Sequence, residues 1–266
     1  MTALPDGDQF LPDQTAAQRA SDYPYRAPQG GFVLDRGQIH VFDDAALLAG
    51  RTAVLSVGSN RAPVQLLRKF GPDALVPVTP AILHDCDIVH NAAVSYYGAV
   101  SCTAFPSVGT DVLLNIAWLD DDQLPVMHRT EAVGIAYDFM RYLTGSVSHL
   151  PVLVAGGDIV SASQPVFGYA ARGGVLDAGG GWPAGLAAIS ARKRRFQTLS
   201  QASVAALVAA RAGHPPSQPE ADFMAGLVDD AASRKAVNQL LAETALHADG
   251  PWKIQPVETT DVSAFL

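Results

Sequence analysis

The chain has little charge, few cysteines and no long apolar run. Charged residues make up 17% of its 266 residues and hydrophobic residues 48%, which excludes a disordered chain. Two cysteines, Cys86 and Cys102, are too few for a disulfide framework or, alone, for a zinc site. No run reaches the roughly 18 apolar residues of a membrane span, and no signal-peptide pattern opens the sequence. We therefore expect a cytoplasmic globular protein without a membrane partner.

Basic residues are also scarce. The 18 lysines and arginines face 26 aspartates and glutamates, so the formal net charge is −8. Nucleic-acid binding needs clustered Lys and Arg, and the densest basic run, residues 192–195, is too short to reverse the balance. The composition argues against a nucleic-acid partner and leaves a small anionic ligand open.

The pattern of apolar residues predicts an α+β protein, a small mixed β-barrel with packed helices. We expect an N-terminal arm over residues 1–50, draped over the domain by aromatic side chains and holding a short strand or hairpin near 31–42. The barrel domain follows over 51–210. It has a strand at 53–57, a helix at 63–70, strands at 75–83, 86–95, 99–105 and 111–119 with a turn at 106–109, and a helix after residue 122.

A C-terminal helical extension is predicted over residues 211–266, with a break near 229–230. Its apolar side chains could form a homodimer surface; they are Leu227, Val228, Val237, Leu240 and Leu241.

The strand at 53–57 runs into a turn, Gly58-Ser59-Asn60, ahead of the helix that starts at Pro63. Glycine permits a sharp turn, and the first N–H groups of a helix can bind a carboxylate or an oxyanion. Taken alone, the same residues fit an ordinary helix cap better, with Ser59 or Asn60 as the capping side chain.

Glu131 follows His128 by one helical turn, at the edge of an apolar face that includes Met127. A carboxylate there would be partly desolvated and suited to proton abstraction near neutral pH. The alternatives are a surface glutamate or a salt bridge with Arg129 or another cation. A metal at His128 and Glu131 would need a further ligand.

Another polar group, His84, Cys86 and His90, falls on one face of a predicted strand. These residues could form a zinc or thiol site, but a half-buried strand with polar edges explains the pattern better.

Taken in order, four segments resemble the γ-glutamylcyclotransferase-like superfamily over about residues 52–200. Residues 54–60 (VLSVGSN) are similar to its Tyr-Gly-Ser-Asn loop, and residues 97–112 (YGAVSCTAFPSVGTDV) to its strand, Pro-x-x-Gly turn and next strand. Residues 124–131 resemble its helix with the essential glutamate, and 167–169 (FGY) a late barrel strand that supplies a pocket tyrosine.

The resemblance implies a pocket beside the loop and catalysis without metal or organic cofactor. Glu131 would act as general base on the α-amine of a γ-glutamyl substrate, which closes a five-membered ring and expels the other amine. The implied substrate-binding residues are Val57, Gly58, Ser59, Asn60, Arg61 and Tyr169.

Three departures from the family pattern keep other functions open. Val57 stands where the family has tyrosine, Arg61 stands where an apolar residue is usual, and about 50 residues precede the motif while about 65 follow position 200. The pocket could therefore serve a hydrolase, lyase or isomerase with a non-glutamyl substrate, or a non-catalytic metabolite-binding module.

Overall fold

A computed structural model of the chain describes residues 1–154, 159–160 and 164–257. Its helices are α1 (Ala16–Ser21), α2 (Pro63–Phe70), α3 (Gln123–Thr130), α4 (Gln201–Arg211), α5 (Glu220–Asp229) and α6 (Ala231–Ala242). Its strands are β1 (Phe32–Asp35), β2 (Gln38–Val41), β3 (Thr52–Ser56), β4 (Leu75–Val94), β5 (Val100–Leu119), β6 (Tyr137–Tyr142), β7 (Val147–His149), β8 (Val152–Leu153), β9 (Ile159–Val160), β10 (Val166–Ala171), β11 (Gly185–Leu186), β12 (Ala191–Arg192), β13 (Thr198–Leu199) and β14 (Trp252–Ile254).

The long antiparallel hairpin of β4 and β5 organises the sheet. The main path of the sheet has the strand order β13-β11-β4-β5-β3-β10-β6-β14. Four further strands are attached to it: β1 and β7 pair with β4, β12 pairs with β5, and β2 pairs with β1. Strands β8 and β9 form a separate two-stranded sheet. Most pairs are antiparallel, but β10 runs parallel to β3 and β13 to β11. The mixed α+β class is confirmed. The order has two free ends among the described strands, so the sheet is not closed into the small barrel that was predicted.

The predicted turn at 106–109 does not separate two strands, and that prediction was wrong. His84 pairs with Asp111 and Cys86 with Pro106, so residues 107–110 bulge out opposite Asp85. Gly109 takes a positive φ of 82° there, and its N–H donates to Asp85 Oδ1 at 2.7 Å. Turn-forming residues thus produce a bulge inside one 20-residue strand, because the neighbouring strand satisfies the displaced backbone.

The N-terminal arm is part of the sheet and of the core. The hairpin expected near 31–42 is present as β1 and β2, and β1 pairs with β4. Tyr23 is only 5% exposed, which confirms that the arm packs on the domain.

The C-terminal helices pack on the far end of the central hairpin. The predicted break lies at Asp230, whose carboxylate caps α6 by accepting from the N–H groups of Ala232 and Ser233. Leu227, Val237 and Leu241 are buried in a cluster with the ends of β4 and β5. These three side chains of the predicted dimer surface are therefore already covered within the chain. None of the described helices is both long enough and apolar enough to cross a membrane.

Candidate functional site

A cavity of about 1330 Å³ opens beside the loop at 57–60. Its walls come from that loop, from α2, from the turn after α3, and from the ends of β4 and β5. The two terminal segments complete it, because α1 and α6 also contribute side chains. Val57, Gly58, Ser59, Asn60 and Glu131 all line this one cavity.

The loop is a short 3-10 turn and not a side-chain cap. Residues Ser59–Arg61 form the turn, and α2 begins at Pro63 after Ala62, which carries no capping hydrogen bond. Pro63 occupies the first turn as expected, because its missing N–H is not needed there. The interpretation of Ser59 or Asn60 as the cap of α2 was wrong, and both residues face the cavity instead.

Gly58 is required by close packing. A Cβ at this position would collide with the hydroxyl of Tyr23 and come within 2.8 Å of Cys102 Sγ. That hydroxyl donates to Cys102 Sγ at 3.1 Å and accepts from the Cys102 backbone N–H at 3.2 Å. The arm thus brings an aromatic hydroxyl to the loop that contains Val57.

Glu131 lies directly after α3 with one carboxylate oxygen in two contacts. The Nδ2 group of Asn60 donates to Oε1 at 3.0 Å, and the Lys69 ammonium forms an ion pair with the same oxygen. The side chains of Lys69 and Glu131 are 6% and 15% exposed, so both charges are largely withdrawn from water. The salt bridge that was considered as an alternative for Glu131 is therefore present, and it lies in the wall of the cavity.

Lys69 was missed in the sequence. Its position, three residues after the fully buried Leu66, places it on the inner side of α2. Its Nζ also lies 3.3 Å from Met127 Sδ, which holds it against α3. Its role could have been recognised in the sequence, because Lys69 has the helical spacing of the apolar residues that face the core.

Tyr169 lines the cavity and is tied to His128. The tyrosine hydroxyl and His128 Nδ1 lie 2.9 Å apart. Burial lowers the pKa of His128, and burial together with the charge of Glu131 raises the pKa of Tyr169. A neutral imidazole and a neutral phenol therefore meet here. His128 does not join Glu131 in a shared site, and no metal-binding group of three ligands occurs among the described residues.

Arg61 binds a side chain of the central hairpin. Its Nε donates to Asn115 Oδ1 on β5 at 3.1 Å, and burial lowers its pKa. Of the predicted loop residues, Arg61 is the one absent from the described cavity lining. A substrate contact by Arg61 stays a prediction.

Tyrosines concentrate in the cavity beyond anything the sequence pattern indicated. Six of the seven tyrosines in the chain line it, namely Tyr23, Tyr25, Tyr96, Tyr97, Tyr137 and Tyr169. On the inner wall, Asn91 Nδ2 donates to the hydroxyl of Tyr137 at 2.6 Å and to Ser101 Oγ at 2.9 Å. Burial, with the Glu131 charge as a second cause, raises the pKa of Tyr137. These phenols are hydrogen-bond donors at neutral pH.

The His84, Cys86 and His90 group does not form a site. His90 is buried between the carbonyls of Val100 and Leu199, at 3.3 and 3.1 Å. His84 instead joins Asp111 at 2.7 Å and Ser148 at 2.8 Å on the surface, outside the cavity. The bulge at Asp85 breaks the alternation on which the shared face was predicted.

Comparisons of the chain with family models, with curated proteins and with solved structures return no match.

Proposed function

We propose that the cavity is the active site of a γ-glutamylcyclotransferase-like enzyme, with Glu131 as general base. The observation that carries the proposal is the contact between Glu131 and Asn60 in the wall of one cavity, at 3.0 Å. The resemblance seen in the sequence places the same two motifs, the loop with Asn60 and the helix with Glu131, beside one pocket. The likeness to a cyclotransferase-type arrangement of strands and helices is part of the proposal, although the described sheet is not closed into a barrel.

The orientation of Asn60 supports recognition of an amine. Because its Nδ2 donates to a carboxylate, the remaining amide atom is the acceptor Oδ1, and this oxygen is buried without a partner among the described residues. Both contacts that Glu131 makes with described residues use Oε1, which leaves Oε2 for a substrate. Two neighbouring acceptors suit an ammonium or amine group.

The reaction needs little beyond this arrangement. The α-amine attacks the γ-carbonyl carbon and loses a proton to Glu131, the five-membered ring closes, and the γ-amide C–N bond breaks. The expelled amine takes the proton back from Glu131, so 5-oxoproline and a free amine account for all atoms. The N–H groups of the loop would be the donors for the developing oxyanion, and ring closure supplies proximity.

The ion pair with Lys69 favours a second candidate function. A cation in contact with a carboxylate weakens that carboxylate as a base. A cavity with this pair intact would serve a binding module, or a hydrolase, lyase or isomerase with a non-glutamyl substrate. In the cyclotransferase proposal, the substrate amine takes the place beside Asn60 while Lys69 keeps the carboxylate in position.

Product analysis on a panel of γ-glutamyl amides separates these functions. We expect 5-oxoproline and free amine from at least one substrate, and no product with Glu131→Gln. Release of glutamate instead would indicate hydrolysis, and ligand binding without any product would indicate a binding module; either result contradicts the cyclotransferase proposal.

A further inference from the structure

The cavity is strongly basic inside an acidic protein. It is lined by six of the 18 lysines and arginines but, within the described lining, by one of the 26 acidic residues, Glu131. The basic residues are Arg19, Arg68, Lys69, Arg129, Arg234 and Lys235. Since Lys69 is paired with Glu131, the charges of Arg19, Arg68, Arg129 and Lys235 give the described part of the lining a net positive charge. Low-dielectric walls of one charge sign concentrate ligands of the opposite sign.

Arg68 is the best-defined of these cations. Its Nη2 donates to Gln14 Oε1 at 2.7 Å, and its guanidinium carbon lies 5.2 Å from the centre of the Tyr25 ring. Its Nη1 is buried and makes no hydrogen bond of normal geometry to a described residue, and a neighbouring polar group of the cavity is the Tyr25 hydroxyl, whose pKa Arg68 lowers through a side-chain hydrogen bond. A buried charged donor without an acceptor is unfavourable, so an anionic group at Nη1 would complete the arrangement.

Arg19 lies close to the same place. Burial raises the pKa of Tyr25 to about 12, and the charges of Arg68 and Arg19 act in the opposite direction, so both cations lie near the Tyr25 hydroxyl. Arg19 is exposed and belongs to α1, which the arm holds against the turn after β4: a Cβ on Gly98 would lie 3.5 Å from Ala20 Cβ.

Lys235 reaches the cavity from the other terminal segment. It precedes Asn238 by three residues on α6, and Asn238 binds the backbone of Val94 at the end of β4. Tyr96 lies two residues after Val94 and is 49% exposed. The two terminal segments thus contribute Arg19, Tyr25 and Lys235 to the lining of the cavity that Arg68 and Tyr96 also line.

We infer that this part of the lining, formed by Arg19, Arg68, Lys235, Tyr25 and Tyr96, binds an organic anion, with its negative group at the cations and its carbon body against the tyrosine rings. The inference goes beyond the proposed function, because it concerns an anion site and makes no statement about the amine that the reaction expels. The binding itself is independent of turnover.

Calorimetric titration with four small probes tests the site directly. Phenyl phosphate and phenylacetate carry both a ring and an anion, inorganic phosphate carries the anion alone, and phenol carries the ring alone. We expect both aromatic anions to bind at least about tenfold more tightly than either phosphate or phenol, and more weakly as salt is added. Comparing the two aromatic anions tells whether phosphate or carboxylate is preferred.

Three variants locate the binding. Arg68→Gln and the double variant Arg19→Gln/Lys235→Gln should each weaken phenyl phosphate binding about tenfold, whereas Arg195→Gln, an exposed arginine outside the described lining, should leave it unchanged. The double variant alters exposed side chains, so it serves even if Arg68→Gln unfolds.

Equal binding by wild type and the double variant, or no saturable binding of either aromatic anion, would overturn the inference. Failure of the proposed function looks different: phenyl phosphate would still bind and respond to these variants, while no γ-glutamyl amide would be turned over.

Discussion

The side-chain amide of Asn60 donates to Glu131 Oε1 at 3.0 Å, although 71 positions of sequence separate the two residues. The fold explains the contact. Strand β3 ends just before the loop, and the neighbouring antiparallel β5 runs back to Leu119, opposite Thr52. Helix α3 then returns over eight residues, about 12 Å, which brings Glu131 to the level of the loop.

The ion pair of Lys69 and Glu131 should be visible in stability. Lys69→Met leaves a largely buried carboxylate without its cation, and we expect it to lower the free energy of unfolding by about 2 kcal/mol, less than for a fully buried pair because the cavity is open. Lys69→Met/Glu131→Gln should recover much of this loss. Urea denaturation of both variants measures it; a purely additive double variant would contradict the ion pair.

Gly58→Ala should be destabilising by about 1–3 kcal/mol, because the new methyl group meets Tyr23 and Cys102. The matched control is Gly226→Ala, a helical glycine with nothing within 4 Å of the added Cβ, which should be neutral or stabilising. Thermal unfolding of both variants tests the packing of the arm on the loop. A neutral Gly58→Ala would show that the arm does not cover the loop as described.

Tyr23→Phe should cost about 1–3 kcal/mol of stability. The loss of the hydroxyl leaves the buried N–H of Cys102 without its acceptor. Tyr96→Phe, at an exposed ring, is the control and should change stability little. Equal effects of the two substitutions in urea denaturation would contradict the buried contact.

Alkaline pH should destabilise the fold through its thiols. Burial raises the pKa of Cys86 and of Cys102 from 9.0 to about 12. Between pH 9 and 12 the thiol is deprotonated in the unfolded state but still protonated in the folded state. The free energy of unfolding is therefore unaffected below pH 9, and each thiol lowers it by up to about 1.4 kcal/mol per pH unit as the pH rises towards 12. Unfolding free energies measured from pH 8 to 11 should fall accordingly, and less steeply in Cys86→Ala; a flat profile would contradict thiol burial.

Elements that depend on residues close together in the sequence could be predicted. The helix from Pro63 to Phe70, the strand before Gly58 and the break at Asp230 each depend on residues a few positions apart, and all three are present. The turn at 106–109 shows the limit of this reasoning, because only the pairing of β5 with β4 decides that Pro106 and Gly109 form a bulge and do not end a strand.

The cavity depends on contacts that no sequence spacing reveals. Tyr23 reaches Cys102 across 79 positions, and Lys69 reaches Glu131 across 62. The family pattern directed attention to the loop and the glutamate, but it had no counterpart for an arm that supplies a hydroxyl or for basic residues from both terminal segments. Arg61 was singled out for its charge, and the sequence did not reveal that its guanidinium binds Asn115 on β5.

The central claim is that Glu131 is the general base of a cyclotransferase-like reaction in this cavity. Its most direct test is the rate of 5-oxoproline formation from the best γ-glutamyl amide by wild type, Glu131→Gln and the control Glu220→Gln, an exposed glutamate on α5. We expect the rate to fall about 10²–10⁴-fold in Glu131→Gln, with substrate binding retained, and to stay unchanged in Glu220→Gln. A rate within a few-fold of wild type in Glu131→Gln would contradict the claim.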